Sequence, residues 1–441
     1  MGAKDGLMGR LLGSADKFSD KQIRETLMSM VEYGVKRGAS DIHIEPHERS
    51  VLVRYRIDGT LRGIHKLPKN ALNVCIAQAK ALADLNVQQT ELPQEGHYTM
   101  TIEGKEVEVR ITTMPIFGGE KAVLHLSMHQ GKPHDLAALG FWGAGLSTLQ
   151  TVLANPYGLV VVAAPRHHGG SSTLFSLLDQ INSPLVSIAT VELRPKHRLP
   201  GVSQTYLSSS NMTMHEGLQA ALKQDPNVVM LSTVTDGATA GTAVQAAATG
   251  HLILAGLHAE NSSAALLSLR AAGVEPFLLV TTVRAAVGQR LVRKLCPECR
   301  ERYTVSDEEW AELVHYFGMS AASARKRVHE LERAAAPAIF GDVKQLGSTP
   351  TRITHLWRPG KTGCSTCDHT GYQGRTAIVE VQPSTEALHK ALLNRDIISA
   401  AALQAVTLKD GFVPLTLDGL IKALRGQTTA AEVLRVSKSI A

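Results

Sequence analysis

Short runs of consecutive apolar residues in the middle of the chain place the strongest limit on its fold. Helical stretches separate these runs, so that the order is 159–164 (apolar), 173–180 (helical), 186–188 (apolar), 214–222 (helical), 228–231 (apolar), 238–248 (helical) and 252–257 (apolar). A strand without a polar face must be buried on both faces. We therefore predict an α/β fold in which helices cover both sides of a parallel sheet.

The N-terminal part predicts a separate α+β unit of about a hundred residues. A helix is expected over 18–37, where Ile23, Leu27, Val31 and Val35 recur at four-residue spacing. Alternation of apolar and polar residues predicts strands in this unit. The pair Asp58-Gly59 predicts a turn between two of them. The predicted strands are 41–45, 51–57, 106–112 and 121–126, with a second helix at 72–85.

Two Cys-x-x-Cys pairs stand out in the C-terminal third. They are Cys296 with Cys299 and Cys364 with Cys367, while Cys75 stands alone in an apolar helical context. Four thiolates can surround a tetrahedral Zn²⁺ and leave no open position for catalysis. We predict a structural zinc site, although 64 residues, including a charged helical insertion at 321–336, separate the pairs.

Changes of pattern along the chain define the predicted segments. Gly131 and Pro133 mark a linker between the two large units, and helical periodicity returns after residue 385. The segments are a tail (1–20), an α+β domain (21–128), a linker (129–145), the α/β core (146–292), a cysteine-rich zinc subdomain (293–385) and a C-terminal helical region (386–441).

Composition and charge exclude several classes of protein. The 441 residues are 44% hydrophobic and carry a net charge of +6 without a basic run, so the chain is not disordered and nucleic acid is not an expected partner. Neither a signal-peptide core nor an apolar run of the ~20 residues that span a bilayer is found. We predict a cytoplasmic protein, with peripheral association at the inner membrane left open.

The segment after the first apolar run lies where a phosphate-binding loop would lie. It reads Ala-Pro-Arg-His-His-Gly-Gly-Ser over 164–171, between a buried strand and a helix. A working loop reads Gly-x-x-x-x-Gly-Lys-Ser/Thr, because glycines let backbone amides surround the phosphates and the lysine contacts the outer two. Taken alone, this segment is a weak indication of nucleotide binding.

Several other strings resemble the ATPases of type II secretion and type IV pilus assembly, in order and approximate spacing from about residue 22 to 385. The strings are Ala39–Pro46, Val53–Gly59, Leu92–Gly96, Leu199–Gly201, Gln224–Pro226, Ala246–His258, Gly273–Pro276, Gln289–Pro297 and Thr370–Arg375. The resemblance implies a PAS-like sensor domain joined by a linker to a RecA-like core. It also implies a hexameric ring that binds ATP between neighbouring subunits.

The resemblance assigns the nucleotide site residue by residue. The loop keeps Gly169, Ser171 and Ser172, whereas Ala164, His167 and Gly170 replace the leading glycine, a middle glycine and the lysine. In the acidic box Glu192 remains, while Leu193 and Lys196 replace two acids. Thr233 and Thr235 replace the Walker B glutamate and an arginine, and Asp236 remains. His251 and His258 match the histidine box.

Surviving residues have two interpretations that the sequence leaves open. Glu192, Asp236, His251 and His258 are vestigial catalytic candidates, or they only hold strand ends and loops by hydrogen bonds. Arg54, Arg56 and Arg110 match arginines that such domains offer to a neighbour's nucleotide, whereas His97 and His125 replace two others.

We predict a pseudo-ATPase that acts as a ring or scaffold subunit, with weak or absent binding of ATP and Mg²⁺. One alternative is a slow motor in which Arg166, His167 and His168 contact phosphate instead of the lysine. Another is a regulatory binding module. The expected partners are further copies in a homo- or hetero-hexamer, an active paralogue, and an inner-membrane platform protein.

Overall fold

The computed structural model describes residues 20–128, 132–194, 198–207, 212–320, 322–336 and 355–437. Residues 1–19 of the predicted tail, and Lys196 of the acidic box, lie outside this part of the chain. The chain divides into two compact units, 1–130 and 131–441.

Unit 1 is a six-stranded antiparallel sheet with two helices. Its elements are α1 (Asp20–Lys36), β1 (Ala39–Pro46), β2 (Ser50–Ile57), β3 (Thr60–Pro68), α2 (Ala71–Leu82), β4 (Gln94–Ile102), β5 (Lys105–Ile116) and β6 (Gly119–Met128). The strand order is β3-β2-β1-β6-β5-β4. Alternate residues of β1 and β2, such as Ile42, Ile44 and Val53, join side chains of both helices in one core. This is the predicted α+β architecture.

The turns of unit 1 follow from residues that adopt left-handed backbone conformations. Asp58 and Gly59 have φ of 51° and 80° and connect β2 to β3. Glu103 and Gly104, with φ of 51° and 74°, connect β4 to β5 in the same way. Two successive residues with positive φ give the tight hairpin turn that matches the twist of antiparallel strands.

Unit 2 is built on a seven-stranded sheet in the order β15-β12-β7-β11-β10-β8-β9. Its strands are β7 (Gly158–Ala163), β8 (Ile188–Glu192), β9 (Val202–Tyr206), β10 (Val228–Leu231), β11 (Leu252–Leu257), β12 (Val283–Leu295) and β15 (Tyr372–Pro383). The neighbouring strands from β12 to β9 are parallel, and only β15 runs antiparallel to its neighbour. The predicted parallel sheet is confirmed.

Helices cover both faces of this sheet. They are α3 (Gly143–Leu153), α4 (Gly170–Ile181), α5 (Met214–Leu222), α6 (Gly237–Ala248), α7 (Ser262–Ala271) and α8 (Pro276–Thr282). In β7, Leu159 and Val161 pack against α5 to α7, whereas Val160 and Val162 pack against α3 and α4. Burial on both sides explains why β7 is apolar at every position.

The cysteine-rich segment contains a two-stranded ribbon and two helices. These are β13 (Arg300–Thr304), α9 (Asp307–Tyr316), α10 (Ala324–Ala335) and β14 (His355–Pro359). The prediction also placed residues 372–383 in this subdomain. Instead they form β15, which pairs with β12 over nearly its whole length as the edge of the main sheet.

The C-terminal region is helical, with α11 (Glu386–Leu393), α12 (Ala400–Thr407), α13 (Leu415–Leu424) and α14 (Ala430–Ser437). A buried ion pair attaches α13 to the sheet. The ammonium of Lys422 donates to Asp418 at 2.7 Å and to the carbonyls of Ala377 and Gly140, and Trp142 Nε1 donates to Asp418. Across the described residues, no helix is long and apolar enough to cross a bilayer.

Candidate functional site

The candidate site lies at the carboxyl ends of four neighbouring parallel strands. The loop 164–169 follows β7, His258 follows β11, Thr233 and Asp236 follow β10, and Glu192 ends β8. Ligands of open α/β sheets bind at this edge. The fold therefore places these residues along one edge of the sheet, whereas His251 precedes β11 and lies at the opposite edge.

The loop has a left-handed backbone conformation at two positions, only one of which is a glycine. Gly169 has φ of 86° and immediately precedes α4, and His167 has φ of 65°. Glycine adopts this conformation without strain, whereas a residue with Cβ does so at a cost. Gly170, Ser171 and Ser172 form the first turn of α4, and position 170 contributes no cation.

Strand β12 holds the loop through two hydrogen bonds and the helix that follows it through a third. The Leu291 amide donates to Nδ1 of His168 at 2.9 Å, and Gln289 Nε2 donates to the His168 carbonyl at 3.0 Å. Thr173 of α4 in turn donates to Oε1 of Gln289 at 2.5 Å. Burial, together with Arg290 nearby, lowers the pKa of His168 to about 4. His168 is therefore neutral at pH 7 and faces the protein.

Three cationic or titratable side chains lie at the exposed side of the loop. Arg166 and His167 are exposed, and Nη1 of Arg375 on β15 donates to the His167 carbonyl at 3.3 Å. The sequence analysis quoted Arg375 only as part of a matched string. Its position beside the loop results from the pairing of β15 with β12, which no local pattern indicated.

Asp236 is the N-cap of α6. Its carboxylate accepts hydrogen bonds from the Thr239 amide (2.8 Å), the Thr239 hydroxyl (2.9 Å) and the Thr235 hydroxyl (2.7 Å). The backbone bond from Thr239 is the main reason that the pKa of Asp236 lies below its usual value. Thr233 is buried, and its hydroxyl has no hydrogen-bond partner among the described residues.

Glu192 is buried at the end of β8 and is occupied by local hydrogen bonds. The Thr190 hydroxyl donates to its Oε1 at 2.6 Å, and Gln204 Nε2 of β9 donates to the same oxygen at 3.0 Å. These bonds join β8 to β9. The same contacts would hold a strand end in a protein without catalytic activity.

The two predicted histidines also contact backbone. Nδ1 of His258 donates to the carbonyl of Ala164 at 3.4 Å, which places His258 against the start of the loop. Nδ1 of His251 donates to the Ala246 carbonyl at 3.2 Å, at the end of α6. Of these two bonds, the one from His258 reaches the loop.

The predicted inter-subunit arginines of unit 1 lie on its charged sheet face and form internal ion pairs. Arg54 pairs with Glu45 at 2.6 Å, Arg56 with Asp41 at 3.1 Å, and Arg110 with Glu95 at 3.4 Å. His125 contacts Asp41 at 2.5 Å, and His97 lies opposite Arg110 in the β4–β5 register.

Both Cys-x-x-Cys pairs meet at one point. The Sγ atoms of Cys296, Cys299, Cys364 and Cys367 all lie within 4.8 Å of one another. The Cys296–Cys364, Cys299–Cys367 and Cys364–Cys367 sulfur distances are each 3.7 Å. A Zn–S bond of about 2.3 Å gives a tetrahedral S–S separation of about 3.8 Å. The cluster thus has the size of a tetrahedral metal site.

Backbone amides complete the surroundings of these sulfurs. The amides of Cys364 and Gly371 donate to Sγ of Cys367 at 3.4 and 3.2 Å. Burial opposes ionisation of Cys367, but these two bonds and neighbouring thiols lower its pKa to about 6. The thiolate, rather than the thiol, is the metal ligand. The four residues are therefore close enough and suitably paired to hold a metal ion.

Comparison with known proteins gives a consistent result. The family model for type II/IV secretion system proteins matches residues 16–435. Type II secretion system protein E of Dickeya dadantii is 35% identical over 424 residues, which cover 96% of this chain and 77% of the relative. Type II secretion system ATPase E of Vibrio cholerae is 34% identical over 431 residues, 97% of this chain and 77% of the relative.

Solved structures show the same fold at lower identity. The ATPase DotB of Legionella pneumophila has a TM-score of 0.64 at 16% identity, with 98% of this chain and 99% of that chain covered. The pilus retraction motor PilT with bound ADP has a TM-score of 0.55 at 15% identity, and the match covers 93% of this chain and 96% of that chain.

Proposed function

This chain belongs to the type II/IV secretion system protein family, and from that premise we propose that it is a ring subunit that contributes interfaces rather than ATP turnover. The altered loop carries this proposal. Gly170 begins α4 where the phosphate-binding lysine would stand, and β12 binds the loop through the side chain and the carbonyl of His168.

The energetic consequence for nucleotide binding is large. A charge-assisted hydrogen bond contributes about 1.5 to 3 kcal/mol, and each ~1.4 kcal/mol is a tenfold change in affinity. Loss of the lysine contact alone therefore lowers affinity by about one to two decades. Thr233 cannot accept a proton from the attacking water, or orient that water, as a carboxylate does. Hydrolysis therefore loses a further contribution to the stabilisation of its transition state.

The surviving acids support the same proposal. Asp236 accepts three hydrogen bonds as a helix cap, and Glu192 joins two strands. Both carboxylates have structural partners that account for their presence. These contacts explain why the acids are present in a subunit that does not hydrolyse ATP.

A slow ATPase is the second candidate, favoured by the cations beside the loop. Arg166, His167 and Arg375 lie at its exposed side, and a guanidinium can bind phosphate through two donors. His168 does not fit this role, because its Nδ1 accepts the Leu291 amide and its pKa of about 4 keeps it neutral. Any substitute contact would thus come from the two arginines or His167.

We infer that the cysteine cluster holds a structural Zn²⁺. Four sulfurs at tetrahedral spacing leave no position for a substrate or water. The metal would stabilise the junction of β12, the β13–β14 ribbon and β15 without entering a reaction.

The proposed partners are other ring subunits, including an active paralogue, and an inner-membrane platform protein, with the ring at the cytoplasmic face of that membrane. In a mixed ring, Arg54, Arg56 and Arg110 would approach a neighbour's nucleotide. Their present partners are carboxylates of unit 1. Each arginine would have to exchange a carboxylate for phosphate on assembly.

Titration calorimetry of the zinc-loaded protein with ATP, with turnover measured on the same sample, tests the proposal. We expect neither heat nor turnover, while the V. cholerae relative serves as an active control. Turnover that disappears in Arg166→Ala or Arg375→Ala would overturn the proposal in favour of the slow motor. Turnover that persists in both variants after further purification would also overturn the proposal, and His167 would then be the remaining substitute contact.

The mixed ring has its own test. The chain is co-expressed with an active paralogue, and native mass spectrometry counts the copies of each. Rings that contain both chains, and that lose activity when Arg54 and Arg56 are replaced by Gln, support the proposal. Two separate homomeric populations would exclude the mixed ring.

A further inference from the structure

We propose that a metal ion in the cysteine cluster positions Arg375 against the loop between β7 and α4, so that loss of the metal loosens the turn at His167. The proposal rests on the structural Zn²⁺ inferred above and does not depend on whether the protein hydrolyses ATP. The cluster and the loop contact the same two strands, because the cluster lies where β12 ends and β15 begins.

The start of β15 is a short connection between the cluster and the loop. The Gly371 amide donates to Sγ of Cys367 at 3.2 Å, and the Gly371 carbonyl accepts from the Cys296 amide at 2.9 Å. Strand β15 begins at the next residue. Within its first turn of sequence, Nη1 of Arg375 donates to the His167 carbonyl at 3.3 Å. The residue that contacts the loop is thus close in sequence to the residue that contacts the sulfurs.

Between these two contacts the ladder of β12 and β15 is irregular. On one side Arg293 pairs with Arg375, and on the other Leu295 pairs with Tyr372. Two residues of β15 therefore lie opposite Lys294 alone, and the second of them is a glycine with φ of 73°. Such a bulge disrupts the ladder locally. The first residues of β15 consequently need support from outside the ladder, which the cysteine cluster provides.

The end of β12 has a second anchor that contains no cysteine. Three hydrogen bonds join it to the C-terminal segment 427–432: Thr428 Oγ1 to the Arg293 carbonyl (2.8 Å), the Leu295 amide to the Gln427 carbonyl (2.9 Å), and the Arg293 amide to Glu432 Oε1 (3.2 Å). Loss of the metal should therefore loosen the start of β15, while the Leu291 amide on β12 stays bonded to His168.

The side chain of Tyr372 also has contacts that would remain without a metal. Its hydroxyl lies 3.3 Å from Oγ1 of Thr429, and the guanidinium of Arg293 lies over its ring, 4.1 Å from the centroid. These contacts hold the ring at the first position of β15 rather than the backbone at 373–375. We therefore expect local motion that displaces Arg375, and not detachment of the whole strand.

The loop should respond because Arg375 contacts it at a strained residue. His167 has φ of 65°, a conformation that costs energy for a residue with Cβ. The guanidinium of Arg375 donates to the carbonyl of this same residue. The His168 amide, which donates to the Pro165 carbonyl at 3.1 Å, closes the turn and so reports its stability.

Hydrogen exchange of single backbone amides in the full-length protein tests the coupling. It is measured with zinc bound, after removal of the metal by a chelator, and after Zn²⁺ is returned. We expect exchange of the His168 amide to accelerate about fivefold without metal and to recover when Zn²⁺ is added. The Leu291 amide should change by less than about twofold. An unchanged His168 amide, or equal acceleration at Leu291, would overturn the proposal.

A double-mutant cycle shows whether the effect passes through Arg375. Cys367→Ser removes a metal ligand, and Arg375→Gln removes the contact with His167 while leaving all four cysteines. Each should accelerate exchange of the His168 amide, and the double variant should exchange no faster than either one. Accelerations that multiply in the double variant would show two independent effects and would contradict the coupling.

Arg358→Gln is the matched control. This exposed arginine of β14 forms its ion pair with Glu301 of β13 at 3.3 Å, within the ribbon that lies between the cysteine pairs. The variant should retain zinc and leave exchange of the His168 amide unchanged. Acceleration equal to that in Arg375→Gln would mean that the loop responds to any change in this region, and the proposed role of Arg375 would be wrong.

Metal analysis of the same samples separates the possible failures. A parent protein that binds no zinc would overturn the inferred metal site together with the coupling. A parent protein that binds zinc, but whose loop does not respond when the zinc is removed, would overturn the coupling alone. Turnover of ATP would contradict the scaffold role and leave the exchange results standing.

Discussion

His168 has a structural role in the loop between β7 and α4, where it binds the neighbouring strand β12. Strand β7 ends at Ala163, and β12 continues beyond it to Leu295. Leu291 therefore has an amide with no strand partner on that side, and Nδ1 of His168 accepts its hydrogen bond. The imidazole adds one hydrogen bond to β12 beyond the last pair of the two strands, which is Ala163 with Gly288.

This arrangement predicts a pH dependence of stability. Burial lowers the pKa of His168 from 6.5 to about 4, so the unfolded chain takes up a proton first as the pH falls. The contribution of His168 to stability should decrease from pH 6.5 to about pH 4 and change little below that, with a total on the order of 2 kcal/mol after allowance for solvent screening. Urea unfolding measured across this range provides the data.

His168→Asn is the control for that prediction, since its amide oxygen can accept from Leu291 but does not titrate. The difference in unfolding free energy between parent and variant should narrow as the pH falls towards 4. A difference that is constant from pH 7 to 4 would show that His168 is not responsible.

At the level of single residues, sequence predicts the position of the loop but not its contacts. The loop could be located because strand, loop and helix are consecutive, and the positive φ at His167 was foreseeable from the glycine it replaces. The inward rotation of His168 and the approach of Arg375 depend on β12 and β15. These strands lie more than a hundred residues away in sequence, so local pattern carries no information about them.

Among the elements, apolar strands were predictable and strands with buried polar residues were not. The runs at 228–231 and 252–257 coincide with β10 and β11. In contrast, β12 carries Gln289 and Arg290, and β15 carries Glu380 and Gln382, all buried. Such residues look like surface residues until their partners on other elements are known.

Glu380 joins β15 to the first residues of two helices. Its carboxylate accepts from the amide and hydroxyl of Ser262, which begins α7, at 2.8 and 2.6 Å, and from the amide of Leu415, which begins α13, at 3.0 Å. Burial raises its pKa, while these donors and nearby Arg290 oppose that effect. The first turns of both helices thus depend on one buried carboxylate.

Glu380→Gln should therefore destabilise unit 2. The new NH₂ group would face an N–H or O–H donor, and a buried polar group without a partner costs about 1 to 3 kcal/mol. Hydrogen exchange of the backbone amides at the starts of α7 and α13 measures this loss of stability. Exposed Glu386→Gln, which removes an ion pair with Lys390 at the surface, is the control and should leave stability nearly unchanged. Equal effects of the two variants would contradict this role.

The cysteine cluster leads to a prediction about metal content. The protein should carry one zinc per chain, and Cys367→Ser should lose it, because three thiolates and a hydroxyl hold Zn²⁺ less well. Elemental analysis measures the content. Exchange in β13 and β14 should accelerate in the variant while β10 and β11 stay protected. Cys75→Ser, which alters a buried cysteine outside the cluster, should retain the metal.

At the scale of the molecule, each unit has hydrophobic cores composed only of its own residues. One cluster lies in unit 1, and three lie in unit 2 among the described residues. The change of pattern near residue 130 was visible in the sequence, because half-buried alternating strands give way to fully apolar ones.

Separate cores predict separate stabilities. Ile111→Ala, at a fully buried position in β5, should destabilise unit 1 by about 2 to 5 kcal/mol and leave exchange in β10 and β11 unchanged. Leu254→Ala in β11 should destabilise unit 2 and leave hydrogen exchange in unit 1 unchanged. A common loss of protection in both units after either substitution would show that they unfold as one.

The junction of β12 and β15 has a consequence for the evolution of this chain. Cys296 directly follows β12, and the second cysteine pair closely precedes β15, so the 64 residues between Cys299 and Cys364 form an excursion whose two ends meet at the same point. A doubling of such an excursion costs only about 0.6 kcal/mol in closure entropy. New sequence can accumulate there without disturbing strand register, which makes this junction a site where a lineage can acquire a new attachment while the parent fold is preserved.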